Sequence, residues 1–96
     1  MAKYYLCVSC IRQGECEYEE HYFIKVLGEL PDDAERQLSI WNWGDEWDEE
    51  DQCVWSDVRM CYDCIVGEVS PSTIADLSQF IYVCQPNFKY EEKGNE

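Results

Sequence analysis

The sequence predicts a small α+β domain: an antiparallel sheet built in β-β-α-β-α order, with one or two helices packed on one face. Three observations predict it. The first 27 residues hold two runs rich in aromatic and β-branched side chains, separated by Gln13-Gly14-Glu15. Two later stretches open on a proline and then repeat apolar residues at helical spacing. Ninety-six residues with 46% hydrophobic content suffice for one modest core and are too few for two domains.

Taken in order, residues 3–12 read as a strand and residues 17–27 as a second, with Tyr18, Tyr22, Ile24 and Val26 on one parity. Gly14 suits the hairpin position that needs a positive φ. Gly28 ends the second strand. Pro31 then fits the first position of a helix, where no amide donor is needed. Asp32, Asp33 and Glu35 follow in the first turn, where the helix dipole favours acids. Ala34, Leu38 and Trp41 share a face, and Gly44 is a natural stop, so the helix is expected over about 31–43. Residues 45–51 read as an exposed loop. Residues 53–69 are strand-like, either one bent strand or two joined tightly. Ser70-Pro71 opens a second helix with Ile74, Leu77 and Ile81 on one face. Pro86 bars continuation. The expected organisation is one domain over 3–86 and a frayed polar tail over 87–96.

Twenty-one acids against seven bases give a formal charge of −14. Direct binding to a nucleic-acid backbone needs Lys and Arg to displace counterions, so this balance excludes it. Anionic membrane surfaces are disfavoured for the same reason. No run approaches the ~20 apolar residues of a membrane span. The N-terminal residues lack the apolar stretch and small-residue cleavage site of a secretory signal, so the expected location is the cytoplasm.

The seven cysteines are Cys7, Cys10, Cys16, Cys53, Cys61, Cys64 and Cys84. An odd number cannot complete an intramolecular disulfide framework. Cys7-Val-Ser-Cys10 and Cys61-Tyr-Asp-Cys64 form two CxxC pairs, and four thiolates at Cys7, Cys10, Cys61 and Cys64 would suit tetrahedral zinc. Strand geometry argues against this, because residues i and i+3 point to opposite faces. Neither pair contains a Pro or Gly to turn the backbone. A thioredoxin-like role is weaker, since that chemistry places CxxC at a helix N-terminus to lower the thiol pKa. The expectation is no cofactor, with zinc as the alternative.

Nothing in the chain assembles an enzyme. Its single histidine, His21, sits in the second strand beside Glu19 and Glu20, and there is no Ser-His-Asp set, phosphate loop or HExxH pattern. An EF-hand register from Asp45 fails, because Trp47 and Glu50 fall where a ligand and a glycine are needed. The acids themselves are the remaining feature. Between Arg36 and Arg59 there is no base, and Asp45, Glu46, Asp48, Glu49, Glu50 and Asp51 are interleaved with Trp47 and preceded by Trp43. Further acids lie on the hairpin at Glu15, Glu17, Glu19 and Glu20. Such a run is often only a solvated face. Clustered carboxylates on a rigid domain can also occupy a Lys/Arg channel that normally holds nucleic acid, whose duplex carries one charge per ~1.7 Å. The loop acids with Trp43 and Trp47 as anchors are therefore the candidate contacts.

The Lys3–Leu27 hairpin, the Pro31-Asp-Asp-Ala-Glu-Arg helix start and the Trp41-Asn-Trp-Gly-Asp-Glu-Trp-Asp-Glu-Glu-Asp run together resemble the small acidic phage and mobile-element proteins that include anti-CRISPR inhibitors. The resemblance covers most of the chain, in architecture and composition and without a diagnostic motif. It implies a non-enzymatic inhibitor that occludes the nucleic-acid-binding surface of a defence complex, such as Cascade or a Cas nuclease, in the host cytoplasm. The seven cysteines depart from that pattern and keep a small zinc-binding adaptor as the alternative.

Overall fold

The computed structural model describes residues 2–44 and 46–90. The elements are β1 (Ala2–Gln13), β2 (Cys16–Leu27), α1 (Ala34–Trp43), β3 (Val54–Ser56), β4 (Arg59–Val69), α2 (Pro71–Leu77) and β5 (Val83–Cys84). They form one five-stranded sheet in the order β3-β4-β1-β2-β5. The fold is α+β, as expected, with two corrections. The order is β-β-α-β-β-α-β, and the sheet is mixed, because β5 runs parallel to β2. β5 pairs only at Phe23–Val83 and Ile24–Cys84, too short a segment to show a period of its own.

The hairpin forms as its sequence dictates. β1 and β2 pair over their full length, with Gln13 opposite Cys16 and Gly14 at φ 61° in the two-residue loop. Residues 53–69 resolve into two strands. Asp57 turns the chain between β3 and β4 at φ 61°, a conformation that Asp tolerates better than most residues. On the other side of β1, the register with β4 skips Val66 between Leu6–Gly67 and Cys7–Ile65, a β-bulge.

One sheet face meets α1. Cys7, Tyr22, Ile24 and Val26 bury together with Leu38 of the helix. A second row, Val54, Cys61 and Ile11, crosses β3, β4 and β1 and is closed off from solvent. The helix buries Ala34, Leu38 and Ser39, while Trp41 stays 49% exposed. The inward stripe therefore follows the rows 34–38–42 and 35–39–43, not the 34–38–41 face expected from hydrophobicity. Polar contacts set this rotation. Ser39 Oγ accepts the backbone N–H of Asp63 at 2.8 Å, and Glu35 Oε2 accepts that of Ile65 at 2.8 Å. β3 covers β4 only from Arg59 to Cys61, so these two N–H groups have no strand neighbour. The helix supplies the missing acceptors.

The second helix is short and buries no residue. Ser70 caps it by accepting from Thr73 N–H, with Pro71 at its first position. Ile81 lies beyond the helix and packs against the core. Parts of the chain beyond β5 are held against the domain. Pro86 is buried, Phe88 packs on the core, and Gln37 exchanges two hydrogen bonds with the Lys89 backbone, at 2.7 and 2.8 Å. Residues 91–96 of the expected tail lie outside the described residues. No helix among the described residues is long and apolar enough to cross a membrane.

Replacing Ser39 with Ala leaves the buried Asp63 N–H without an acceptor, which should cost about 1–3 kcal/mol. A urea unfolding curve measures it. An unchanged midpoint would show that the helix contact does not secure the β4 edge.

Candidate functional site

Two regions carry the polar chemistry: a buried carboxylate under α1 and the acidic loop between α1 and β3.

Asp63 is only 2% exposed, yet it makes no ion pair among the described residues. Four side chains donate to it. Ser9 Oγ reaches Oδ2 at 2.8 Å, Asn42 Nδ2 reaches the same oxygen at 2.7 Å, and the Tyr22 hydroxyl makes a third, short contact there. Trp43 Nε1 reaches Oδ1 at 2.8 Å. Asn42 Nδ2 also donates to the Tyr22 oxygen at 3.2 Å, which fixes the amide's orientation. β1, β2 and both outer positions of the helix's last turn thus converge on one residue of β4. Burial, then hydrogen bonding to Asp63, pushes the Tyr22 hydroxyl far above its usual range, so it stays a donor. Sequence reasoning missed this centre. A charged residue inside the apolar run Cys-Tyr-Asp-Cys-Ile-Val was the available signal.

Trp43 is half-buried. Its indole N–H is directed at Asp63, and Arg59 lies over its ring, 5.7 Å from the centroid. Trp47 is half-buried and borders a hollow of about 940 Å³ between α1 and residues 87–90, which also includes Trp41 and Tyr90.

The loop acids divide by what they do. Asp48 Oδ1 accepts the backbone N–H groups of Glu50 and Asp51, at 2.9 and 3.0 Å, and Asp48 pairs with Cys53 through the backbone. Trp55 Nε1 donates to Asp48 at 3.1 Å and to Asp51 at 3.3 Å. These two acids shape the loop. Glu49 meets Arg36 at 3.3 Å, and Arg36 also binds Asp33 at 2.7 Å, holding that carboxyl below its ordinary range. Glu46 and Glu50 are exposed and have no side-chain partner among the described residues. Asp45 lies outside the described residues.

The four cysteines of the zinc alternative do not converge. Cys7 and Cys61 share the α1 face of the sheet, and Cys10 and Cys64 share the opposite face, as strand alternation requires. Among the described residues no three His, Cys, Asp or Glu side chains form a metal-ligand group. Burial is the first cause of the thiol shifts, ahead of the neighbouring acids. Cys7 is pushed up to about 12, and Cys64 and Cys84 to about 11.

No protein-family model matches the chain, and neither does any curated protein or solved structure compared with it.

Asp63→Ala would strand four donors at once and should cost about 3–5 kcal/mol, measured by urea unfolding. Tyr22→Phe removes one donor and should cost about 1–2 kcal/mol. The cysteines set an alkaline limit. Their unfolded thiols ionise near 9.0, while folded Cys7, Cys64 and Cys84 hold their protons to about 11–12. The folded state then binds more protons, so stability is full below pH 9 and falls as pH rises through the interval to 11–12. The urea midpoint should drop between pH 8 and pH 10.5, and a Cys7→Ala, Cys64→Ala, Cys84→Ala variant should flatten that drop.

Proposed function

We propose that this chain is a non-enzymatic inhibitor, of the anti-CRISPR kind, whose acidic surface binds a basic nucleic-acid-binding surface of a defence complex and blocks DNA or RNA binding. The observation that carries it is the imbalance of charge on the folded surface. Against a net charge of −14, only Glu17, Asp33 and Glu49 make ion pairs among the described residues, with Arg12 and Arg36. The other acids of the hairpin and loop, Glu15, Glu19, Glu20, Glu46 and Glu50, are exposed. They are carried by a full-length hairpin and a braced loop, so the charge is presented in a fixed arrangement. Fixed charge steers a basic partner and releases its counterions on docking.

Within the candidate contacts the roles are unequal. Glu46, Glu49 and Glu50 face solvent and supply the loop's share of the surface, with Asp45 beside them in the sequence. Asp48 and Asp51 keep the loop in shape. Trp47 offers the half-buried apolar contact, and Trp43 acts from within by holding the helix end. The zinc adaptor is disfavoured, because its four thiols divide between two faces of one sheet.

The test is capture from host lysate at low salt, with and without competing duplex DNA. A nucleic-acid-binding complex should be retained, and salt or DNA should release it. Glu46→Lys, Glu49→Lys and Glu50→Lys together should weaken capture roughly tenfold or more, with the unfolding midpoint little changed. Undiminished capture by that triple variant would overturn the role of the loop.

A further inference from the structure

The first half of β2 is an open sheet edge. Cys16–His21 are all exposed. β1 lies along one side of them, and on the other side β5 reaches β2 only at Phe23 and Ile24.

The register shows which backbone groups face the open side. The hairpin closes on Gln13 and Cys16 across a two-residue loop, and its pairing runs without a break to Ala2 and Leu27. In an antiparallel ladder a residue turns its N–H and C=O to the same neighbour, and successive residues turn to opposite neighbours. Phe23 N–H points away from β1, because it donates to Tyr82 O at 2.7 Å. Steps of two back from Phe23 place the N–H and C=O of His21, Glu19 and Glu17 on that same outer side. They form a row about 14 Å long. No strand or loop among the described residues pairs with them. On β4 the corresponding outward N–H groups of Asp63 and Ile65 are closed off by Ser39 and Glu35.

The edge has no proline and no bulge. Of the usual devices against strand pairing it carries only charge, and charge is selective. Glu17, Glu19 and His21 share one face, and Tyr18 and Glu20 the other. Glu17 meets Arg12 at 3.4 Å, while Glu19 and Glu20 make no ion pair among the described residues. A second copy paired antiparallel about Glu19 would set Glu19 against Glu19, which is destabilising, and would bring together two chains of net charge −14. A strand with a base at every second position would instead add cross-strand ion pairs to the backbone bonds.

We infer that the Glu17–His21 edge of β2 takes up an extended segment of a protein partner as a sixth strand, with Lys or Arg at alternate positions against Glu17 and Glu19. The unpaired backbone makes the site, and the acids choose the occupant. That the segment belongs to a nucleic-acid-binding complex rests on the function proposed above. The pairing itself is tested with a free peptide.

The probe is acetyl-Lys-Val-Lys-Val-Lys-amide, added to the full chain at low salt, with amide hydrogen exchange followed residue by residue by NMR. Exchange at Glu17, Glu19 and His21 should slow saturably, roughly tenfold or more, while Tyr18 and Glu20, already paired with β1, stay as they were. The same peptide N-methylated at every residue keeps the charge, loses the donors and should protect none of the three. Acetyl-Glu-Val-Glu-Val-Glu-amide should not bind. Glu19→Gln with Glu20→Gln should weaken the lysine peptide several-fold and leave the unfolding midpoint nearly unchanged, since both side chains are exposed. Protection that persists where lysate capture fails supports the pairing and counts against the defence target alone. Equal protection by the N-methylated or the glutamate peptide, binding without slowed exchange at the three amides, or slow exchange there in the free chain would overturn the inference.

Discussion

The structure depends on the fit between α1 and the uncovered edge of β4. Along a helix, residues four apart are separated by about 6.0 Å; along a strand, residues two apart are separated by about 6.7 Å. Glu35 and Ser39 therefore keep step with Ile65 and Asp63 of β4, and Trp43, one turn on, reaches back to the Asp63 side chain. Glu35 meets the N–H of Ile65, Ser39 that of Asp63, and Trp43 the Asp63 carboxylate. A three-residue β3 leaves this edge open, and an open edge invites pairing with another chain. The helix closes it with side chains in place of a strand.

The same fit fixes the helix's rotation, and with it the surface chemistry. Once Ser39 and Trp43 face β4, Asn42 reaches Asp63 and Tyr22, and Trp41 turns outward. A buried carboxylate without a cation has a high desolvation cost, so it persists only when its oxygens are fully hydrogen-bonded. Four donors from three elements do this here.

The four tryptophans show how one residue type serves separate tasks. Trp43 supplies a hydrogen bond to the core carboxylate and a face to Arg59. Trp55 braces the acidic loop through Asp48 and Asp51. Trp41 and Trp47 border the hollow between α1 and residues 87–90. The acids divide in the same way. Asp63, Asp48 and Asp51 hold structure, while Glu46, Glu50, Glu15, Glu19 and Glu20 are exposed and make no ion pair among the described residues. Net charge alone cannot make that division, because it counts every carboxylate equally.

Local chemistry was legible in the sequence. The hairpin followed from two runs of strand formers around Gly14, the first helix from its apolar spacing, although it starts at Ala34, three residues after Pro31, and the separation of the CxxC thiols from the alternation of a strand. Each of these depends on residues within a few positions of one another. The sequence by itself also determined the charge, a net −14. The tertiary structure alone decided that β5 exists, that Phe88 packs on the core, and that the Trp43 indole meets Asp63. It alone brought Ser9, Tyr22, Asn42 and Trp43 to Asp63 across separations of 20 to 54 residues. Periodicity carries no information about such meetings, because a donor and its acceptor find each other only when the sheet register and the helix rotation are both set.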